Sequence, residues 1–213
     1  MTNKKTPLTL PGVSENIYAG FWLRLGSLLL DALILAPVII LILYLNSTSK
    51  NAYLITFLPN LAFVVWYRVY LVKKYGGTPG KLIMGIKILK IDGSDVTLKE
   101  AILREIVTLC LTVFVSIVTI LSLMKASEAY YDSLSWLTKQ QYIASLSPVL
   151  FLVYTWLSNL WTYGELIVLL FNKRKRAIHD FIAKTVIVRA LYIDKLRAAM
   201  AEEEDMQPIP IKS

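Results

Sequence analysis

The chain reads as an all-α integral membrane protein: four transmembrane helices, short cytoplasmic amphipathic helices and a minor two-stranded β element. Three observations predict this. Of 213 residues, 56% are hydrophobic and only 18% charged, where a soluble domain carries about 25% charge. The apolar residues gather in four blocks, Phe21 to Leu45, Tyr53 to Val72, Ala101 to Met124 and Leu146 to Phe171. Each is long enough for the roughly 20 helical residues that cross a hydrocarbon core. The basic residues of the connections are unevenly shared, as they are around membrane spans.

That asymmetry sets the expected orientation. Lys50 is the basic residue between the first two blocks, and Lys125 and Lys139 stand between the last two. Between the second and third lie Lys73, Lys74, Lys81, Lys87, Lys90, Lys99 and Arg104, and Lys173 to Arg176, Lys184 and Arg189 follow the fourth. With Lys4 and Lys5, the basic segments are expected in the cytoplasm and both termini with them. The localisation that follows is a multi-pass protein of the cytoplasmic membrane. The net charge of +8 is then explained by anionic inner-leaflet lipid, and no nucleic acid is expected as a partner.

Block one starts too late and runs too long for a cleaved signal peptide, so an uncleaved span is expected. Pro37 and Pro59 are expected to kink spans one and two. Thr97-Leu98-Lys99-Glu100 is a capping box that places the start of span three. Cys110 lies inside that span, so no internal disulfide framework exists. Two six-residue and five-residue runs, Ile86 to Ile91 and Thr185 to Arg189, are rich in β-branched residues and each follows a short amphipathic piece. Two lone strands beside a bilayer would leave backbone groups unpaired, so they are expected to pair with each other. The order helix, helix, amphipathic piece, strand occurs twice, which is the pattern of two parallel repeats. The expected organisation is a cytoplasmic N-terminal segment (1–17), a four-helix transmembrane domain (18–190), and a cytoplasmic C-terminal helix and disordered tail (191–213). The tail is expected to be helical through Arg197 and then to fray.

A charge at mid-bilayer costs about 3 kcal/mol on insertion scales, so each one asks for a partner or a purpose. Counting about 1.5 Å per helical residue places Asp31, Asn60 and Asn159 at one level near mid-membrane. Arg24, Arg68 and Glu165 fall closer to the cytoplasm, in a second polar layer. Arg24 needs a carboxylate from another segment, and Glu165 and Asp180 are nearest in depth. Asp31 has no basic residue at its own level. One reading is an ion or proton path to Asp31, with the amides and Thr112 or Ser116 supplying oxygen ligands. The other is a set of buried polar contacts that fixes helix packing.

Phe21-Trp22-Leu23-Arg24 with Asp31 downstream, Gly77-Thr78-Pro79-Gly80-Lys81 before Gly85-Ile86-Lys87-Ile88, and Lys175-Arg176-Ala177-Ile178-His179-Asp180 together resemble the RDD family of bacterial membrane proteins. The resemblance runs from about residue 18 to 190. The family is named for an arginine and two aspartates, which map onto Arg24, Asp31 and Asp180. Lys184 departs from the glycine common there, and the segment from Lys125 to Ser145 is longer than typical. The resemblance implies either exchange of monovalent cations for protons, which some members are linked to, or association with membrane ATPase machinery, which others accompany.

No soluble-enzyme constellation is present. His179 is the only histidine, which excludes a histidine cluster for a metal, and Gly76 to Lys81 lacks the spacing of a phosphate loop. His179 beside Asp180 reads either as a pH-sensitive pair or as a helix anchor. No enzyme activity and no cofactor are expected. Two functions stand: a monovalent cation/proton exchanger centred on Asp31, and a non-transporting scaffold or accessory subunit that docks a cytoplasmic protein. A homo-oligomer is compatible with either.

Overall fold

The computed structural model describes residues 5–205. Its frame is four long helical runs. Helix α1 covers Phe21–Thr48. Helix α2, Lys50–Val65, passes through one π-helical turn, Trp66–Tyr70, into α3, Leu71–Tyr75. Then come α4, Pro79–Ile83, strand β1, Ile86–Lys90, and α5, Leu98–Lys125. Helix α6 is Glu128–Ser133, α7 Trp136–Leu146 and α8 Pro148–Phe171. Helix α9, Ile178–Ile182, strand β2, Thr185–Arg189, and α10, Ile193–Asp205, complete the order.

Among the described residues, three helical runs are long and apolar enough to cross a membrane, and α7 with α8, bent by 101° between them, bring the number to four. The apolar side chains of these helices face outward, with Leu33, Ile55, Leu160 and Phe171 among the most exposed. That is the pattern of helices solvated by lipid, where the hydrophobic effect does not drive them together. Both Pro37 and Pro59 lie inside continuous helices. The irregularity in the second run falls instead at the π turn, which holds Tyr67 and Arg68. The expected fourth span began at Leu146, but the chain breaks at Ser147, where the following Pro148 cannot donate a helical hydrogen bond. The preceding segment, expected as an open connection, is mostly helical, because Tyr131 and Ile143 bury against Leu123 and Ala126.

At the other end of the helices, here called the sheet end, β1 and β2 pair antiparallel, with Ile86 opposite Arg189, Ile88 opposite Ile187 and Lys90 opposite Thr185. This is the pairing expected from their unsatisfied backbones, one residue shorter. The free edge of β2 is covered by the N-terminal segment: Ala19 donates to the Ile187 carbonyl at 2.9 Å and Arg189 to the Ile17 carbonyl at 2.9 Å. An edge covered in this way has no open row of donors for another chain. Helix α10 closes the layer, burying Leu196 and Met200 beside Leu89, Val186 and Val188. It runs well past Arg197, which donates to the Gly93 carbonyl and to Asp95 at 3.1 and 3.0 Å. The disorder expected for residues 206–213 lies outside the described residues.

The capping box at α5 is formed, with the Thr97 backbone donating to Glu100 at 3.0 Å. The helix, helix, short helix, strand order recurs in both halves. Short helices α4 and α9 each end three residues before their strand, and an antiparallel ladder between the halves is itself two-fold symmetric.

Candidate functional site

The polar residues concentrate where the sheet end meets the helices, around two buried carboxylates. Asp180 is fully buried at the start of α9. It forms ion pairs with Arg24 of α1, at 2.8 Å, and with Arg104 of α5. It also accepts from the Thr185 hydroxyl at 3.3 Å and from the Ala177 backbone at 3.0 Å, which caps its own helix. Arg104 donates to the Thr185 hydroxyl at 2.5 Å, and Arg24 to the carbonyls of Ala19, at 3.1 Å, and of Lys175. One carboxylate thus ties two membrane helices to α9 and β2. Burial opposes its ionisation, but the guanidiniums of Arg104 and Arg24, His179 and the Ala177 N–H outweigh it and hold its pKa well below the usual carboxylate range.

Asp31 forms the second centre, with partners from the π turn of the second run and from a turn that folds back along α1. Its carboxylate accepts from the Tyr67 hydroxyl at 2.6 Å, the Thr78 hydroxyl at 2.5 Å and the Gly80 backbone at 2.7 Å. Hydrogen bonds to a charged acceptor stabilise by about 1.5–3 kcal/mol each, so α4 is firmly pinned to α1. The approach needs glycine: a Cβ on Gly80 would lie 2.8 Å from the Asp31 backbone nitrogen, and nearer still to the Ser27 carbonyl. Glu165 of α8 plays the matching part in the other half, accepting from the second backbone N–H of α9, that of His179, at 2.8 Å. Its other oxygen pairs with the His179 ring.

A cavity of about 250 Å³ lies beside Asp31, lined by Arg24, Tyr67, Arg68, Thr78, Lys81, Arg104 and Glu105 among others. Arg68 pairs with Glu105 at 3.2 Å, and Arg24 and Arg104 share Asp180. Among the described residues, the Lys81 ammonium hydrogen-bonds the Thr78 hydroxyl at 3.3 Å, and neither Lys81 nor Asp31 forms an ion pair. The ammonium and the Asp31 carboxylate are therefore joined through Thr78.

Of the residues singled out in sequence, Arg24, Asp31, Arg68 and Asp180 come together here, and Glu165 joins through His179. Of the two partners weighed for Arg24, Asp180 is the one it meets. Asn60 is half-buried and Asn159 exposed on the outside of α8, and neither lines the cavity. The Thr112 hydroxyl bonds to its own helix at Thr108. Sequence reasoning missed Tyr67, Lys81, Arg104 and Glu105. Arg104 and Glu105 stand inside an apolar block, a signal set aside when Arg104 was counted with the loop charges. Asp31 also lies less deep than expected, because α1 begins at Phe21 while Tyr18 bridges to Val188 in the sheet layer.

The uncharacterized protein YckC of Bacillus subtilis (strain 168) is 36% identical over 123 residues, which cover 53% of this chain and 77% of that protein. No solved structure matches the chain. A model of the RDD family matches residues 18–184, the stretch that carries Arg24, Asp31 and Asp180 and every element from α1 to α9. The chain belongs to the RDD family.

Proposed function

We propose that this membrane protein exchanges a monovalent cation for a proton at the Asp31 cavity. The observation that carries the reading is a cavity in which one carboxylate with no ion-pair partner stands among the hydroxyl oxygens of Tyr67 and Thr78, with Lys81 as the nearby unpaired cation. Arg68 is balanced by Glu105, while Arg24 and Arg104 share the single charge of Asp180, so the surroundings of Asp31 and Lys81 keep an excess of one positive charge. When Lys81 releases its proton, a sodium or potassium ion takes its place beside Asp31, and charge is conserved. Hydroxyl and carboxylate oxygens are the hard ligands such ions take.

The test uses proteoliposomes loaded with a pH-sensitive dye. Sodium or potassium added outside should raise the internal pH with the natural protein. Asp31→Asn should abolish the signal, and so should Lys81→Arg, which keeps the positive charge but cannot release a proton. Silent vesicles across the neutral range would overturn exchange. The second reading would then hold, a non-transporting scaffold or accessory subunit docking a cytoplasmic protein. It is favoured by the three hydrogen bonds that saturate Asp31 as a clamp.

The orientation proposed has the sheet layer and both termini in the cytoplasm of a bacterium, with the helices in the inner membrane. Lys50 and Lys139 at the opposite end are tied down, Lys139 donating to the Ser47 carbonyl at 2.8 Å. In a Cys110→Ser background, cysteines replacing Asn51 or Asp132 should react with an impermeant reagent on intact cells, and one replacing Asp194 should not. The reverse pattern would invert the orientation.

A further inference from the structure

At the sheet end of α8, where the helix leaves its apolar stretch, the chain builds a second polar pocket that the Asp31 chemistry does not use. It has a volume of about 390 Å³ and is lined by Lys5, Lys173, Arg174 and Arg176, together with Phe171 and Phe181. Among the described residues, none that lines it is acidic. Among the described residues, Lys173, Arg174 and Arg176 pair with no carboxylate.

The arrangement is organised rather than a loose basic run. The Asn172 side-chain oxygen accepts from the backbones of Arg174 and Arg176, at 2.9 and 3.1 Å. Lys175, at φ +50, turns away to the Leu170 carbonyl. The Arg174 Nε donates to the Thr6 carbonyl at 3.0 Å, and its guanidinium also lies beside the Tyr18 hydroxyl. Arg176 is held by the carbonyls of Thr185 and Asp180, at 2.9 and 2.7 Å, and lies over the Phe181 ring at 4.0 Å. Phe171, 85% exposed, and Phe181, 44% exposed, flank the pocket with bare apolar surface. Guanidinium and ammonium donors converge, without a carboxylate among the described lining residues, at the end of the apolar helix α8, bordered by the exposed rings of Phe171 and Phe181. That combination matches an anionic headgroup with its acyl chains.

We infer that the pocket of Lys173, Arg174 and Arg176 binds the phosphate of an anionic phospholipid in the leaflet at the sheet end, with Phe171 and Phe181 against its acyl chains. The inference rests on the helices spanning a bilayer and is independent of ion exchange. Phosphate oxygens would meet the Arg174 guanidinium and the Lys173 ammonium, while Arg176, already anchored, fixes the floor.

The test is lipid titration of the purified protein in neutral detergent, followed by native mass spectrometry. Dioleoyl phosphatidylglycerol should bind one site saturably and more tightly than dioleoyl phosphatidylcholine. Lys173→Gln should weaken it about fivefold, and Lys173→Gln with Arg174→Gln about 25-fold, from the strength of one basic residue at an anionic surface. Phe171→Ser should weaken the dioleoyl lipid and leave its dihexanoyl form unchanged. Lys173 is exposed, and among the described residues its side chain bonds nothing, so its variant is readable even if the double variant fails to assemble. Equal binding of phosphatidylcholine would overturn the inference. So would inorganic phosphate displacing the lipid with equal affinity, which would make the site one for free phosphate. A loss from Lys99→Gln as large as from Lys173→Gln would also overturn it, by showing only diffuse attraction.

Discussion

Asp180→Ala should leave little folded protein, the largest loss expected of any single substitution in this chain. The substitution leaves two guanidiniums, Arg24 and Arg104, whose side chains are 11% and 4% exposed, without their shared counter-charge. Breaking one buried pair costs about 3–5 kcal/mol, and this change breaks two, against a typical total stability of about 5–15 kcal/mol. It also removes the acceptor for the Ala177 N–H, whose loss at a helix start costs about 1 kcal/mol. Arg24→Ala and Arg104→Ala should each cost less, because Asp180 keeps one guanidinium in either case. Monodisperse yield from gel filtration and the melting temperature in detergent measure the order. Asp180→Ala behaving like the single arginine variants would remove the shared-carboxylate account.

Asp180 also fixes an acid limit. Its pKa in the fold is held well below the usual range, burial opposing ionisation and the charges of Arg104, Arg24 and His179 prevailing. A carboxylate with a depressed folded pKa stabilises fully above its unfolded pKa of about 3.9. That contribution declines as pH falls from there through the folded value. Melting temperature should therefore be insensitive to this group near neutrality and drop in strong acid, and Asp180→Asn should lack that part of the acid limb.

The parts of this arrangement legible in sequence were those set by long-range physics. Membrane spans follow from the length of an apolar block. The ladder between Ile86–Lys90 and Thr185–Arg189 follows because two short strands have few other ways to satisfy their backbones. The meeting of Arg24 with Asp180 follows because a buried guanidinium requires a carboxylate. Fold-back of a loop is a different matter. Depth counted along α1 placed no cation near Asp31, yet the turn from Thr78 to Lys81 returns alongside the helix and brings Lys81 to the same cavity. Helix facing was equally hidden: α8 is apolar on nearly every side, so its pattern does not tell that Asn159 points outward. Arg104 was obscured for a third reason, since a charge near the end of a span reads equally as a snorkelling loop residue or as a buried partner.

Gly80→Ala should be the most damaging change that alters no charge. The added methyl would meet the backbone nitrogen and the carboxyl carbon of Asp31 at 2.8 Å and press closer on the Ser27 carbonyl. These are atoms of a 28-residue helix, so relief requires α4 to move away from α1. Overpacking of this kind costs about 1–3 kcal/mol. Displacement of α4 would add the loss of the hydrogen bond from the Gly80 N–H to Asp31, about 1.5–3 kcal/mol more. Gly26→Ala is the internal control, because there the methyl would meet the end of the flexible Met84 side chain, at 2.9 Å, which can turn aside. Gly80→Ala should therefore melt well below Gly26→Ala, and a cysteine at Lys81 should become more reactive to a thiol reagent in the Gly80→Ala background as α4 lifts away. Equal melting of the two glycine variants would show that α4 does not press on α1. The Asp31 carboxylate would then lack the Gly80 donor, and the clamp that shapes the cavity would have to lie in Tyr67 and Thr78 alone.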